Sequence, residues 1–140
     1  MTMPKKPLPV KVVLDIEGGT CKVFKGEEEV ATADFCFDDT QIRVSSVDTI
    51  EKYQRKGYGR LLFAALFLLS AHKKKPLLLW ALDDAIPFYE KIGMLHLDNP
   101  DVQKRIKFGN VKRKDLPDKV DNDDFVWIPQ HLKSKPTIYL

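Results

Sequence analysis

Between residues 10 and 50, apolar and polar positions alternate. Val10 to Ile16 is rich in β-branched residues and reads as a strand. Glu17-Gly18-Gly19-Thr20 supplies a hairpin turn, and Cys21 to Lys25 alternates again as the returning strand. Gly26-Glu27-Glu28-Glu29 forms the next turn. From Val30 to Phe37, Ala31, Ala33, Phe35 and Phe37 share one face, with Thr32 and Asp34 on the other. After Asp38-Asp39, Gln41 to Ile50 is a fourth strand. The pattern predicts an antiparallel meander without a helix.

The pattern then changes. Leu61 to Leu69 is one apolar run, too long for a typical strand, and predicts a helix over residues 59–73. Lys73, Lys74 and Lys75 suit its C-terminus, and Pro76 ends it. Being apolar almost all round, this helix is expected to be buried on most sides. Leu77 to Ala81 reads as a central strand buried on both faces. Strand, helix, strand in that order implies a right-handed crossover and a parallel pair. Asp83-Asp84 caps a second helix over 85–92, with Pro87 in its first turn and Gly93 as its stop. Val102 to Val111 is expected to be a strand, Lys112 to Asp124 a charged loop, and Phe125 to Ile128 the last strand.

Composition narrows the class. A length of 140 residues fits one domain, read as 9–132, with a flexible lead-in over 1–8 and a tail over 133–140. Apolar content of 44% and charged content of 31% are ordinary for a soluble globular protein. A net charge of +3 is too small an excess to argue for nucleic acid. Cys21 and Cys36 make no disulfide framework, and His72, His96 and His131 stand alone, so no metal site is expected. The N-terminus is basic and proline-rich without an apolar signal core. The longest apolar run is only about half a membrane span. These features predict a cytoplasmic protein with reduced thiols and no membrane role.

The candidate chemistry lies at Gln54-Arg55-Lys56-Gly57-Tyr58-Gly59-Arg60. Two glycines spaced by one residue let the backbone turn tightly and approach a ligand. They stand where a strand hands over to a helix, whose free N–H groups and dipole favour an anion. Arg55, Lys56 and Arg60 add positive charge.

This stretch resembles the Gln/Arg-x-x-Gly-x-Gly/Ala signature of GNAT-type N-acetyltransferases. A second stretch, Ala85-Ile86-Pro87-Phe88-Tyr89-Glu90-Lys91-Ile92-Gly93-Met94, is similar to that family's Ala-x-x-Phe-Tyr-Glu-Lys-x-Gly-Phe segment, with Met94 for the usual Phe. The interval between them holds one helix and one strand, as in the family. The resemblance covers residues 41–94. It implies an α/β (α+β) fold of the acyl-CoA N-acyltransferase type: a mixed, mostly antiparallel sheet with a splayed parallel pair and packed helices.

The resemblance also implies a reaction. Acetyl-CoA is the expected co-substrate, with its pyrophosphate on the backbone of Arg55, Lys56, Gly57, Tyr58, Gly59 and Arg60, and with Phe88 also in the cofactor site. Its pantetheine arm would run between the Gln41–Ile50 and Leu77–Ala81 strands. A backbone N–H near Thr49 or Ile50 would polarise the thioester carbonyl. A primary amine, on a small molecule or a protein, would attack directly, and Tyr89 would protonate the leaving thiolate. Glu51, counted in both the catalytic and the cofactor set, and Asp48 are the candidate general bases. No metal is required.

Two departures from the family pattern stand out. Leu82 occupies the position where members often carry an Asn against the pantetheine. The family's helices between its first two strands, which wall the acceptor site, are replaced here by a hairpin-sized turn between Ile16 and Cys21. A non-catalytic CoA-binding or interaction module is therefore the alternative reading. An RNA-binding reading of Lys56-Gly57-Tyr58-Gly59-Arg60-Leu61-Leu62-Phe63 is weaker: Arg60 stands where an aromatic should stack, and the unalternating run favours a helix. The apolar Ile138-Tyr139-Leu140 end hints at a homodimer.

Overall fold

The computed structural model describes residues 8–109, 124–130 and 132–139. The N-terminal meander consists of β1 (Val10–Asp15), β2 (Thr20–Lys25), β3 (Glu28–Phe37) and β4 (Ile42–Thr49). A single helical turn, Glu51–Tyr53, leads to α1 (Tyr58–Lys73), and then to β5 (Leu77–Trp80). Next come α2 (Ile86–Lys91), β6 (Leu95–His96), α3 (Pro100–Arg105), β7 (Lys107–Phe108), β8 (Asp124–Trp127) and β9 (Thr137–Ile138). Seven strands form one sheet in the order β1-β2-β3-β4-β5-β8-β6. Its pairings are antiparallel except for β4 with β5, which run parallel across the α1 crossover. The short β7 and β9 pair separately, also in parallel.

The two faces of the sheet carry separate cores. Cys21, Val23, Ala33, Phe35, Ile42, Val44, Leu77 and Leu79 meet Leu62, Phe63, Leu66 and Leu69 of α1. Trp127 of β8 stacks on Phe67 of α1, with centroids 4.7 Å apart. Leu78, pointing the other way, joins Val126, Val102, Ile106 and Ile138 in the second core. Each such side chain contributes about 1.5–3 kcal/mol on full burial. β5 is thus buried from both sides as far as Leu79, whereas Trp80 is 56% exposed.

Two expectations need correction. Residues 102–111 do not form one strand. Asn99 caps α3 by accepting from the Asp101 N–H at 2.9 Å, and Pro100 occupies a first-turn position. Val102 and Ile106, one turn apart, are both buried, so a helical period overrides the β-like composition. Only Lys107–Phe108 is strand; residues 110–123, including most of the expected loop, lie outside the described residues, and Asp124 begins β8. Second, α1 is covered on one side only: Leu61, Ala64 and Leu68 share an outer stripe, and Leu68 is 72% exposed. The C-terminal apolar cluster is partly internal. Ile138 is fully buried in the chain's own second core. The Gln41 side chain clamps the adjacent backbone, accepting from the Tyr139 N–H at 2.7 Å and donating to the Tyr139 carbonyl at 3.1 Å. The expected lead-in falls largely on residues 1–7, and Leu140 ends the chain; both lie outside the described residues.

Candidate functional site

β4 and β5 stay paired only over Ile42–Leu77, Arg43–Leu78 and Val44–Leu79. Above that point β4 continues to Thr49 against β3 alone. The change coincides with a register shift: Asp34 opposes Ser46 while Phe35 opposes Val44, leaving Ser45 as the extra residue on β4. A bulge bends and twists its strand, which turns the upper half of β4 away from β5 and opens a gap. The Ile50 N–H donates to Val30 O at 3.0 Å, on the β3 side. Ladder alternation therefore points the N–H groups of Thr49 and Val47 into the gap. Of the two backbone donors expected from the sequence, Thr49 is available there and Ile50 is already bonded. Val47 was missed, because strand parity beyond a bulge is not visible in sequence.

The glycine turn sits at the top of this gap. Arg55 and Gly57 both have positive φ, 64° and 88°. Gly57 is the N-cap of α1, and no side chain caps the helix. A Cβ on Gly57 would meet nothing within 4 Å, so backbone conformation rather than crowding calls for glycine there. The first turn contains no acidic residue, and the first intrahelical bond runs from Leu61 N–H to Gly57 O. The N–H groups at the start of this helix thus have no intrahelical or side-chain cap partner, and Arg55, Lys56 and Arg60 are exposed around them. Two further cations, Lys25 and Lys52, join from outside the motif. Lys25, Lys52 and Lys56 place their ammonium groups 5.0–5.9 Å from the Tyr53 ring centroid. The Tyr53 hydroxyl donates to Glu28 at 2.6 Å, which raises the phenol's pKa and lowers that of the carboxyl. Lys25 reaches this cluster through the β2–β3 hairpin, a placement no local motif signals.

The two sequence motifs touch. A Cβ on Gly59 would lie 3.2 Å from the Phe88 ring, so the second glycine lets α2 pack against the start of α1. Tyr89 is 7% exposed. Its ring contacts Phe63, Phe88 and Phe125 at centroid distances of 5.4, 5.3 and 5.7 Å. Phe125 is the cross-strand partner of Leu79, the last β5 residue paired to β4. Tyr89 therefore stands level with the opening of the gap. Burial pushes its phenol above the ordinary tyrosine pKa. No described residue hydrogen-bonds its hydroxyl, and no buried side-chain oxygen among them lacks a partner, so that oxygen keeps contact with solvent. Glu51 is exposed on the turn after β4, and Asp48 is exposed on the face of β4 opposite α1. The geometry does not bring either carboxylate into contact with Tyr89.

No protein-family model matches the chain, and no curated protein matches it by sequence. Solved structures do. The N-acetyltransferase YlbP from Bacillus subtilis, solved with coenzyme A, matches with a TM-score of 0.52 at 20% identity, over 80% of this chain and 68% of that one. Ard1 from Thermoplasma volcanium matches at 0.55 and 16% identity, over 81% and 72%. The fold is that of the GNAT N-acetyltransferases. A further match, at 0.51 and 23% identity, covers 56% of this chain but only 28% of a Pyrococcus horikoshii protein.

The connection expected to differ from the family pattern is short. β1 and β2 are joined by the four-residue turn 16–19, in which Gly19 has a φ of 68° and accepts from the Phe35 N–H at 2.8 Å. The sheet face opposite α1 carries exposed Asp34, Ser46 and Asp48, with Ser46 Oγ donating to Asp34 at 2.6 Å. Leu82, at the position noted for Asn, is exposed just beyond β5. No helix among the described residues is long and apolar enough to cross a membrane, and no cluster of metal-ligating side chains occurs among them.

Proposed function

We propose that this chain is an acetyl-CoA-dependent N-acetyltransferase acting on primary amines. The reading is carried by one coincidence: the opening between β4 and β5 lies directly below a helix N-terminus that has no side-chain cap and is ringed by cations. The pyrophosphate of acetyl-CoA would take the N–H groups of Gly57, Tyr58, Gly59 and Arg60, supported by the Arg55, Lys56 and Arg60 side chains. The pantetheine arm would descend through the gap past the exposed Ile50 side chain, with Phe88 shaping the wall beside Gly59. The Thr49 N–H would hold the thioester oxygen as negative charge develops on it.

The amine nitrogen attacks the carbonyl carbon, so a C–N bond forms and the C–S bond breaks. The departing thiolate takes the Tyr89 proton, and solvent restores the phenol. The proton lost by the amine leaves through water to Glu51 or Asp48. A buried phenol suits this role because it stays protonated at neutral pH. Reduced thiols would place the work in the cytoplasm.

Calorimetric titration with acetyl-CoA tests the cofactor half. Lys56→Glu/Arg60→Glu should weaken binding at least about tenfold, since each charge reversal removes one charged contact. Unchanged affinity in this variant would sink the assignment. The four-residue turn between β1 and β2 favours a second reading, a CoA-binding module without turnover. Tight acetyl-CoA binding without thiol release on any amine offered would establish that reading instead.

A further inference from the structure

An open groove of about 360 Å³ lies at the opposite end of the sheet from the glycine turn, between the end of α3 and the segment after β8. Trp127, the last residue of β8, pairs with Leu77, the first of β5, and Leu77 pairs with Ile42, the first of β4. The glycine turn follows the far end of β4, eight residues away, or roughly 25 Å along a strand. The two places are therefore separate.

Lys104 and Arg105 from the last turn of α3 face Lys133 and Lys135 across this groove. The floor is apolar, formed by Ile128 and Leu132, and Pro129 and Pro136 stiffen its walls. No Asp or Glu lines it among the described residues, and none of the four cations belongs to an ion pair among them. The C-terminus of a helix attracts cations, which accounts for Lys104 and Arg105 but not for two lysines brought from a distant loop. With 23 basic and 20 acidic residues in the chain, four cations without a countercharge among the described residues are not a reflection of composition. Their mutual repulsion is relieved when an anion binds between them.

We propose that this groove is a second ligand site, for a small organic phosphate of nucleotide size. The volume lies within the range of small-molecule pockets. Four cations call for a multiply charged group, and the apolar floor calls for a ligand with a non-polar part, which inorganic phosphate lacks. The inference stands whether or not the glycine turn binds CoA.

The test is calorimetric titration of the full chain with ATP in magnesium-free buffer. It compares the wild type with two variants: Lys133→Glu/Lys135→Glu in the groove and Lys56→Glu/Arg60→Glu at the glycine turn. All four side chains are exposed, and thermal unfolding confirms that both variants fold. The groove variant should lose at least about tenfold in affinity at one ATP site, and that site should persist in the turn variant, which removes any second ATP site at the glycine turn. The proposal is overturned if wild type does not bind ATP, or if only the turn variant loses binding. It is equally overturned if a single-stranded RNA binds in a groove-dependent way while ATP does not.

Discussion

Replacing Tyr89 by Phe separates catalysis from packing at one position. The ring is gripped by Phe63, Phe88 and Phe125, and the substitution keeps all three contacts. The hydroxyl has no hydrogen-bond partner among the described residues. Its loss should therefore change stability by no more than about 0.5 kcal/mol, as for a surface change. Tyr89→Ala, by contrast, empties the ring's place in the core and should cost about 3–5 kcal/mol. If Tyr89 protonates the leaving thiolate, Tyr89→Phe should lower kcat by about 10²–10⁴-fold, equivalent to about 2.7–5.4 kcal/mol of barrier. Thiol release from acetyl-CoA, with spermidine and a lysine amide as acceptors, reads kcat. Calorimetry reads acetyl-CoA affinity, which should not move, and thermal unfolding reads Tm. A kcat within about threefold of wild type, with Tm and affinity preserved, refutes the role, because an acid catalyst contributes far more than that. The pH profile gives a second check. Burial raises the phenol above its ordinary value, so an alkaline fall in rate caused by its loss of a proton should lie above the range of a free tyrosine.

Gly19→Ala and Gly57→Ala should part company. Both positions have positive φ, but a Cβ at Gly19 would lie 2.3 Å from the Phe35 carbonyl oxygen while Gly57 faces open space. Gly57→Ala should cost about 1–2 kcal/mol from conformation alone and weaken acetyl-CoA binding; Gly19→Ala should lower Tm further and leave binding unchanged in the protein that remains folded. Gln41→Ala removes two of the bonds that hold the Tyr139 backbone and leaves the Arg43 guanidinium donating to the Tyr139 carbonyl at 3.3 Å. It should destabilise by about 1–3 kcal/mol and speed amide exchange at residues 137–139, measured by mass spectrometry. Cys21 is fully buried and its thiol is pushed up from 9.0 to about 11 by desolvation. The folded state favours the neutral thiol, so this contribution is complete below pH 9 and is lost as pH rises towards 11. Iodoacetamide at pH 8 should label exposed Cys36 and spare Cys21 until the protein unfolds.

By itself the sequence determined the meander, the α1 crossover, the parallel β4–β5 pair and the glycine turn. These depend on local period, on turn residues and on chain handedness, all of which act over short stretches. It also held the signal for α3, because Asn99, Pro100 and the buried Val102–Ile106 pair form a complete start and face. The β-branched composition of residues 102–111 outweighed that signal. Tertiary structure decided the rest. The Ser45 bulge sets where β4 leaves β5, and so which N–H groups face the gap; parity beyond a bulge depends on pairing with β3. The exposure of Leu68 depends on what else covers α1, and the burial of Ile138 on the Gln41 clamp at Tyr139, ninety-eight positions from Gln41 in the chain. Lys25 beside Tyr53, and four cations around one groove, are likewise products of chain folding. Contacts between residues distant in sequence leave no local period, so they become legible only once the sheet has brought them together.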